Sequence, residues 1–401
     1  MARKSRNTAL AVVLQTARGT FDACSTADLV TGFSNCRLAI DGITVADDTY
    51  TGSVFTNADA IAGKRVTLSG NLKLKPPSSL PAADAFVLGR ILQAAKFTEL
   101  RVATAIPASA EAVGVSGNDT THLALSTGAT GTDDLYNMYP ILNETAGAAY
   151  KDQLTMIRDY VGSTKLAELM ETLGGAPADD YQIPPFLGYY RDVTSAEPDV
   201  LSCELWIDGF RYDLYDCAVS SMRLVLPTSD KNQARYPEFE FTLDCTIYQT
   251  EDEATPSIPA TGQPPLIKDG KGFFNKKEWG IESITIDLGL TADYPPNPNQ
   301  VDGNDAPEIS GGSATAQMVA QKYLKATEDV LGLADAQAYH PLFLQWGSSA
   351  FGTVQVGIMS GRLNFPNPDL SGGIIKEQID IQIDVLDRNL AIIFPGGAAL
   401  S

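Results

Sequence analysis

The sequence predicts a mainly β protein, a β-sandwich or barrel with flanking α-helices, in which the β architecture is duplicated. Glycine and proline are plentiful, at 34 and 23 of 401 residues, as expected of many short strands joined by turns. Several stretches alternate apolar and polar residues, most clearly residues 239–247, as is typical of a strand with one buried face. Residues 36–42 and 203–209 agree at Cys, Leu, Ile, Asp and Gly.

The repeated pattern is the evidence for duplication. Each copy reads as a strand that runs into an Asp-Gly turn, at residues 41–42 and at residues 208–209. Each copy is followed, after a loop, by a second alternating strand, residues 66–74 in one case and 239–247 in the other. A β unit that is used twice indicates a duplicated architecture. Chance recurrence of a short strand-turn pattern is the alternative explanation.

Besides the strand at residues 36–42, the first part of the chain is predicted to hold three strands and one helix. Residues 9–14 form an apolar run that we interpret as an ordered first strand. The run is short for a secretory signal, and residues 15–18 after it are a poor cleavage site. Residues 66–74 alternate as a half-buried strand. Residues 85–97 place apolar side chains at helical spacing, which predicts a helix that packs on the sheet. Residues 100–106 return as a strand.

The middle of the chain is predicted to be loops followed by a helix. Apolar residues recur at helical spacing over residues 150–173, and Gly174-Gly175 follows as a cap. We therefore expect three parts. Residues 1–106 form a first β unit with one helix, residues 107–180 form a loop and helical insertion, and residues 181–401 form a second β unit with long loops and one helix.

Alternation also defines the second β unit. The predicted strands are residues 200–208, 212–216, 220–226, 239–248, 283–290, 351–365, 374–386 and 390–394. Ser313 is a candidate N-cap of a helix that extends to about Leu331. Residues 292–312 are dense in Pro, Asn, Asp and Gly, which predicts a long exposed loop. This loop and the N-terminal arm either contact a neighbouring molecule or are plain surface segments.

The charge balance argues against some classes of function. The chain has 49 acidic and 29 basic residues, for a formal net charge of −20. Binding to a phosphate backbone or an anionic membrane needs a surplus of Lys and Arg, so we expect neither a nucleic-acid reader nor a protein docked on an anionic membrane. Five widely spaced cysteines without a CxxC motif favour reduced thiols and assembly in a reducing cytoplasm.

The search for catalytic chemistry finds little. Neither histidine, His122 or His340, has metal-ligand spacing. The Gly-Lys pairs lack a phosphate-binding motif, and residues 293–305 lack the order of an EF-hand loop. Carboxylates are abundant, but a glycosidase would need the fold to bring two of them to catalytic separation. We expect no enzyme, and no catalytic, cofactor or metal site.

The first half of the chain carries a resemblance to a known family. Residues 9–20 and 34–38 resemble the opening of the major tail tube proteins of long-tailed bacteriophages. Residues 63–72, with the proline loop and helix over residues 81–97, are similar to a strand, loop and helix of that family. Lys96 stands where the family pattern has glycine.

The second half resembles the same family more loosely. The similar segments are residues 205–209, 239–242, 264–268 and 284–289. Residues 107–180 have no counterpart. The resemblance implies a structural virion protein with a β-sandwich or barrel fold, whose copies form hexameric rings that stack into a hollow tail tube for the ejection of genome DNA.

The resemblance also implies a location and partners. Such a subunit would be assembled in the host cytoplasm and would reside in the virion tail, without membrane insertion. It would bind copies of itself and other tail proteins, namely the tape measure, the baseplate or tip and the terminator. The alternatives are another β-rich tail component, a tube subunit of a phage-derived secretion machine, and a carbohydrate-binding or carbohydrate-cleaving β protein.

Acidic strand faces are the candidate lining of such a channel. Glu238, Glu240 and Asp244 lie on the polar side of one predicted strand, and Asp380 and Asp384 lie on the polar side of another. A DNA conduit benefits from like-charge repulsion, because a basic lining would hold the polyanion. The competing interpretation is that these faces meet solvent outside the tube.

Overall fold

The computed structural model describes residues 7–46, 58, 60–114, 116–144, 153–177, 179–194, 196–227, 235–259, 263–267, 270–297, 299, 304–323, 325, 327, 329–347, 350–370 and 375–396. The protein is mainly β and sandwich-like, which confirms the predicted fold class, and within these ranges no closed barrel forms. Among the described helices, none is long and apolar enough to cross a membrane.

The first group of elements extends to the end of the insertion. It comprises β1 Thr8–Leu14, a 3₁₀ turn Thr26–Asp28, β2 Phe33–Val45, β3 Ala60–Lys73, α1 Val87–Ala94, β4 Phe97–Val102, β5 Ile106–Ala112, β6 His122–Ala124, β7 Pro140–Glu144, β8 Gln153–Val161, β9 Leu166–Leu169 and β10 Asp180–Ile183.

The second group completes the chain. It comprises β11 Phe186–Arg191, β12 Leu201–Ile207, β13 Arg211–Pro227, β14 Glu238–Glu251, β15 Lys271–Phe274, β16 Lys277–Glu278, β17 Ile281–Asp287, β18 Leu290–Asp293, β19 Glu308–Gly312, β20 Thr315–Gln321, α2 Val330–Ala336, β21 Tyr339–Trp346, β22 Val354–Leu363, β23 Asn367–Asp369, β24 Lys376–Ile383 and β25 Leu390–Pro395.

Seven strands form what we call the central sheet. They pair in the order β2-β3-β14-β13-β17-β20-β24, and each neighbouring pair is antiparallel. Its inner face is apolar from end to end. One row of directly opposed, buried residues consists of Leu72, Phe239, Leu224, Ile286, Ala316 and Ile381. Because side chains alternate along a strand, the polar residues must lie on the outer face.

A second layer covers the inner face of the central sheet. Strands β4, β11, β25 and β22 pair side by side, and their inward side chains share one hydrophobic cluster with the central sheet. Helix α1, which confirms the predicted helix, buries Ile91 and Leu92 in the same cluster. The ring of Phe86, just before α1, packs edge-on against Phe394 of β25, with the ring centres 5.5 Å apart.

The insertion is a six-stranded sheet in the order β5-β10-β7-β8-β9-β6. The helix predicted over residues 150–173 is therefore wrong, since its described part is the β8–β9 hairpin. Leu154, Met156 and Ile157 are all buried, because β8 is covered on both faces. A strand that is buried on both faces loses its clean alternation, and its apolar run then imitates helical spacing.

The insertion packs firmly on the second layer. Ile141 and Tyr160 of the insertion share a hydrophobic cluster with Tyr190, Phe343 and Ile393 of the main body. A buried ion pair joins the same two parts, with Glu171 Oε1 2.8 Å from Lys271 Nζ. The described core of the insertion is therefore a hydrophobic cluster distinct from that of the central sheet, and side chains of the main body complete it.

Two further predictions in the second half are wrong. The described part of the helix expected from Ser313 to Leu331 is largely β20, and α2 begins only at Val330. Strand β20 pairs with β17 on one side and β24 on the other, so tertiary pairing overrides its helical spacing. The exposed loop expected over residues 292–312 instead contains most of the β18–β19 hairpin.

The two copies of the repeated motif occupy different environments. Asp208 and Gly209 form the predicted turn, both with positive φ, between β12 and β13. The turn predicted at residues 41–42 is wrong, because β2 continues through it and stays paired with β3. The strands that follow the two motifs, β3 and β14, are hydrogen-bonded neighbours. All five cysteines are free thiols.

Candidate assembly interface

The outer face of the central sheet, here called the polar face, is hydrophilic across almost its whole width. One opposed row consists of Lys73, Glu238, Val225, Thr285, Gln317 and Asp380. The next row consists of Asn71, Glu240, Arg223, Asp287, Thr315 and Gln382. Strand register therefore gathers Glu238, Glu240 and Asp380, which the sequence placed on separate strands, onto one surface.

The polar face carries both signs of charge. Arg223 Nη1 lies 3.6 Å from Glu240 Oε2, and Arg223 Nε lies 3.5 Å from Asp287 Oδ2. Strand register also places Arg37 and Lys73 on this face. The acids expected from the sequence to line a channel therefore share this face with basic side chains. It is a mixed surface on which carboxylates alternate with cations.

The remaining acids on the polar face are held by amides. The Asn71 side chain donates to Glu238 Oε1 at 3.1 Å, and the Gln317 side chain donates to Asp380 Oδ1 at 3.0 Å. Asp384 lies just after β24, where its carboxylate accepts from the Val385 N–H at 2.9 Å. These contacts hold the carboxylates in place, because each donor lies on a hydrogen-bonded neighbouring strand or on the next residue of the chain.

Asp244 differs from the other predicted lining residues because it is buried. Its side chain is 1% exposed and lies 3.2 Å from the Arg65 guanidinium. That guanidinium stacks over the Tyr294 ring at 4.9 Å. Burial, together with the nearby Asp244 carboxylate, raises the pKa of the Tyr294 hydroxyl. Asp244 is thus the centre of a buried polar cluster and does not present a free carboxylate to a channel, which corrects that part of the prediction.

One end of the central sheet is an open edge. Among the described strands, β2 pairs only with β3, so the other side of its 13 residues offers unpaired backbone groups. The outer part of this two-stranded ribbon also carries exposed apolar side chains. They are Ile40, Ile43, Val45 and Ile61, and Ile61 is 77% exposed. We call this surface the β2 edge.

The opposite end of the central sheet is open only in part, because residues 381–383 of β24 pair with residues 361–363 of β22, and β23 forms the rest of this end. The short strand β23 pairs with β24 and with no other described strand. Exposed apolar side chains surround it as well. They are Phe365, Leu370 and Ile375, and Leu370 is 73% exposed. We call this surface the β23 edge.

Two unpaired strand edges with exposed apolar side chains are a known assembly signal. A long unpaired strand with exposed apolar residues is a template for another strand, and monomeric proteins usually block it with charges, proline or a covering segment. The β2 edge and the β23 edge lie at opposite ends of one sheet. Two copies can therefore join end to end, which leaves one edge open at each end for further copies.

Only a weak signal for these edges is present in the sequence. Ile40 and Ile43 fall on opposite faces of β2, so the alternation expected of a half-buried strand breaks down there. One pattern would have indicated an interface. It is a strand with apolar residues on both faces, next to a charged segment that contains glycine. The prediction of a turn at residues 41–42 concealed it.

His122 and Cys36 have local environments that the described residues define. His122 Nδ1 lies 2.9 Å from Asp119 Oδ2 within a single turn. Although burial acts to raise it, hydrogen bonds from Thr121 and His122 together lower the pKa of Asp119 to about 2. Burial raises the pKa of the Cys36 thiol to about 11, which keeps it protonated and unreactive. No group of three or more His, Cys, Asp or Glu side chains in the described ranges is placed to hold a metal ion.

Comparison of the sequence with protein-family models and with curated proteins gave no match.

Proposed function

We propose that the protein is a structural subunit whose copies join edge to edge into closed rings, and whose rings stack into a tube. The observation that carries this proposal is the pair of open, apolar edges at opposite ends of one polar-faced sheet. Joining the β2 edge of one copy to the β23 edge of the next would pair the free backbone groups and bury Ile61 and Leu370. The resulting interface is head-to-tail, and it closes into a ring when the rotation between copies allows.

In this proposal the polar face lines the bore. The residues on it are fixed by hydrogen bonds and ion pairs, and the apolar face is already covered by the second layer. A lining of alternating carboxylates and cations offers a polyanion no continuous basic track, so DNA would pass without being held. This role agrees with the resemblance to phage tail tube proteins. On that basis we propose a place in the virion tail, with the tape measure, baseplate or tip and terminator as neighbours.

The width of the sheet relates ring size to copy number. Seven strands spaced about 4.8 Å apart span about 34 Å, and a tilt of about 40° to the tube axis widens this to about 44 Å. Three copies would then give a backbone diameter of about 42 Å, and six copies about 84 Å. The family resemblance implies six copies. The diameter of a ring in electron micrographs therefore measures the copy number directly.

The proposal is tested with the full-length chain by light scattering and negative-stain electron microscopy over a range of protein concentrations. We expect ring-shaped particles of one diameter, and tubes of the same diameter at higher concentration. A chain that stays at its monomer mass of 42.8 kDa at every concentration would contradict the proposal. Single rings that never stack would instead favour a terminator or baseplate component.

A further inference from the structure

A cleft of about 810 Å³ lies where β3 ends. The proline-containing loop after β3, the start of α1 and residues just before β22 contribute to its walls. The lining combines apolar and hydroxyl-bearing side chains, among them Val30, Pro77, Ser78, Phe86 and Pro259. Clefts of about 300–1,000 Å³ hold ligands of many atoms, so this cleft has room for more than a single small ion.

The charged side chains that line this cleft are all positive. They are Lys73 and Lys75, and none of the described lining residues is an aspartate or a glutamate. The first turn of α1, which also lines the cleft, carries no acidic side chain. The whole chain has 49 acidic and 29 basic residues, so a cleft with cations alone differs sharply from the average surface. The cleft is therefore a local positive region on a strongly acidic protein.

Lys73 has an aromatic neighbour and no carboxylate partner among the described contacts. Its Nζ atom lies 4.8 Å from the centre of the Tyr236 ring, and the Tyr236 hydroxyl donates to Gln263 Oε1. Gln263 also lines the cleft. Because the amide oxygen of Gln263 accepts this bond, its Nε2 group is left to donate. Lys73 and Gln263 thus provide a cation and a neutral donor on one side of the cleft.

Lys75 carries an ammonium group that the described protein does not pair. Its Nζ atom is buried and has no hydrogen-bond partner. Burial lowers the pKa of this amine, because the charged form loses its hydration. An ammonium group without an acceptor destabilises the folded protein, and its flexible stem allows it to turn toward a ligand in the cleft. Such a group is expected where a side chain serves binding at the expense of stability.

We propose that this cleft binds an extended peptide segment of a partner protein through carboxylate side chains of that segment. Ammonium and amide N–H groups donate well to carboxylates. The apolar surfaces of Phe86 and Pro259 would cover side chains that lie between the acids of the peptide. This inference does not depend on ring assembly.

A peptide suits the cleft better than a nucleic acid does. Two lysines neutralise few phosphates, and the net charge of −20 repels a long polyanion. A short acidic peptide avoids most of that repulsion. At physiological ionic strength the Debye length is about 8 Å, so the distant acids of the protein are screened while contacts inside the cleft persist.

The test is fluorescence anisotropy of the full-length protein with a short fluorescein-labelled peptide in which glutamate alternates with leucine. The same peptide with glutamine in place of glutamate, and a labelled single-stranded oligothymidylate, are the comparison probes. We expect saturable binding of the glutamate peptide alone, with one peptide per chain. Lys73→Met and Lys75→Met should each weaken this binding about tenfold, through loss of a charge-assisted hydrogen bond. Lys325→Met is the matched control, because its side chain is 84% exposed and outside the cleft lining, and it should leave the affinity unchanged.

Thermal melting separates binding from folding. Lys75→Met removes an ammonium group that has no partner, so its melting temperature without peptide should equal or exceed that of the wild type. Weaker peptide binding by a variant that is at least as stable supports the proposal.

Four results would overturn the proposal. They are absence of saturable binding by the wild type, equal binding of the glutamate and glutamine peptides, unchanged affinity in both cleft variants, and a melting temperature of Lys75→Met below that of the wild type. The last result would show that Lys75 stabilises the fold and is not free for a ligand. Preferential binding of oligothymidylate would assign the cleft to nucleic acid instead, which also contradicts the proposal.

Discussion

Head-to-tail assembly predicts that blocking one edge stops polymerisation and that mixing two oppositely blocked chains restores a single contact. Ile61→Lys blocks the β2 edge, and Leu370→Lys blocks the β23 edge. Each variant keeps the other edge intact. A mixture of the two should therefore form a 1:1 dimer through the intact β23 edge of the first and the intact β2 edge of the second. That dimer carries a lysine at each of its free edges and cannot extend.

The size of the effect follows from the exposure of the two side chains. Ile61 is 77% exposed and Leu370 is 73% exposed, and complete burial of such a side chain contributes about 1.5–3 kcal/mol. Covering either one should therefore contribute about 1–2 kcal/mol to a contact. A lysine at the same place adds a desolvation cost of about 1–3 kcal/mol. Together these weaken each contact by about 2–5 kcal/mol, or about 30- to 5,000-fold in its dissociation constant.

The assay is sedimentation velocity of each variant alone and of the equimolar mixture, with Leu331→Lys as the control. Leu331 is an exposed apolar residue on α2 and belongs to none of the strands that form the two edges. Each edge variant should sediment as a monomer of 42.8 kDa, the mixture as a dimer of twice that mass, and the control as the wild type. Continued ring formation by both edge variants would refute the edge assignment. Homodimers of one variant would show that each edge pairs with itself.

Three further predictions concern stability and reactivity. Lys271→Met removes the cation that lies 2.8 Å from the fully buried Glu171 carboxylate and should lower the free energy of unfolding by about 3 kcal/mol, measured by urea titration. Against the opposing effect of burial, hydrogen bonds from Ser25 and Arg90 lower the pKa of Asp28. The contribution of the Asp28 carboxylate to stability is therefore complete above about pH 4 and is lost as the pH falls further. Asp28→Asn should reduce this loss of stability at low pH. Cys36, with a pKa of about 11, should react with a thiol reagent at pH 8 about 200-fold more slowly in the native protein than after unfolding.

Contrary results would be informative in each case. Unchanged stability of Lys271→Met would show that Glu171 does not depend on this ion pair. Equal acid sensitivity of Asp28→Asn and the wild type between pH 5 and 2 would show that the carboxylate is not stabilised by folding. Fast labelling of Cys36 in the native protein would show that the ribbon opens readily, because the thiol lies on β2.

The sequence predicted most of the central sheet because its strands have one buried face and one exposed face. The sequence of β14 alternates polar and apolar residues from Glu238 to Ile247, and that of β24 does so around Ile379 and Ile381. Helix α1 was also predictable, because it carries a single apolar stripe facing the core. Where each element meets water on one side and the core on the other, periodicity alone identifies it.

The wrong predictions share a physical cause. In these segments both faces of the strand are buried, or both are exposed, so the burial of side chains does not alternate. Strand β8 is covered on both sides and imitates a helix, while the outer part of β2 is exposed on both sides and imitates a turn region. For Asp244, alternation gave the correct face but could not show that Arg65 closes over it. Pairing register decides such cases, and register depends on partners far away in the sequence.

The open edges also favour an assembled subunit over a protein that stays monomeric. A 13-residue strand with one unpaired side and apolar residues on both faces is an aggregation hazard for a protein that stays monomeric. Closure of a ring removes every such edge at once, whereas an isolated dimer leaves two of them open. The twist between neighbouring strands then decides between a closed ring and an open helical filament. Fixed-diameter rings in the wild type and a defined dimer in the edge-blocked mixture would together show that the copies meet at an angle that closes.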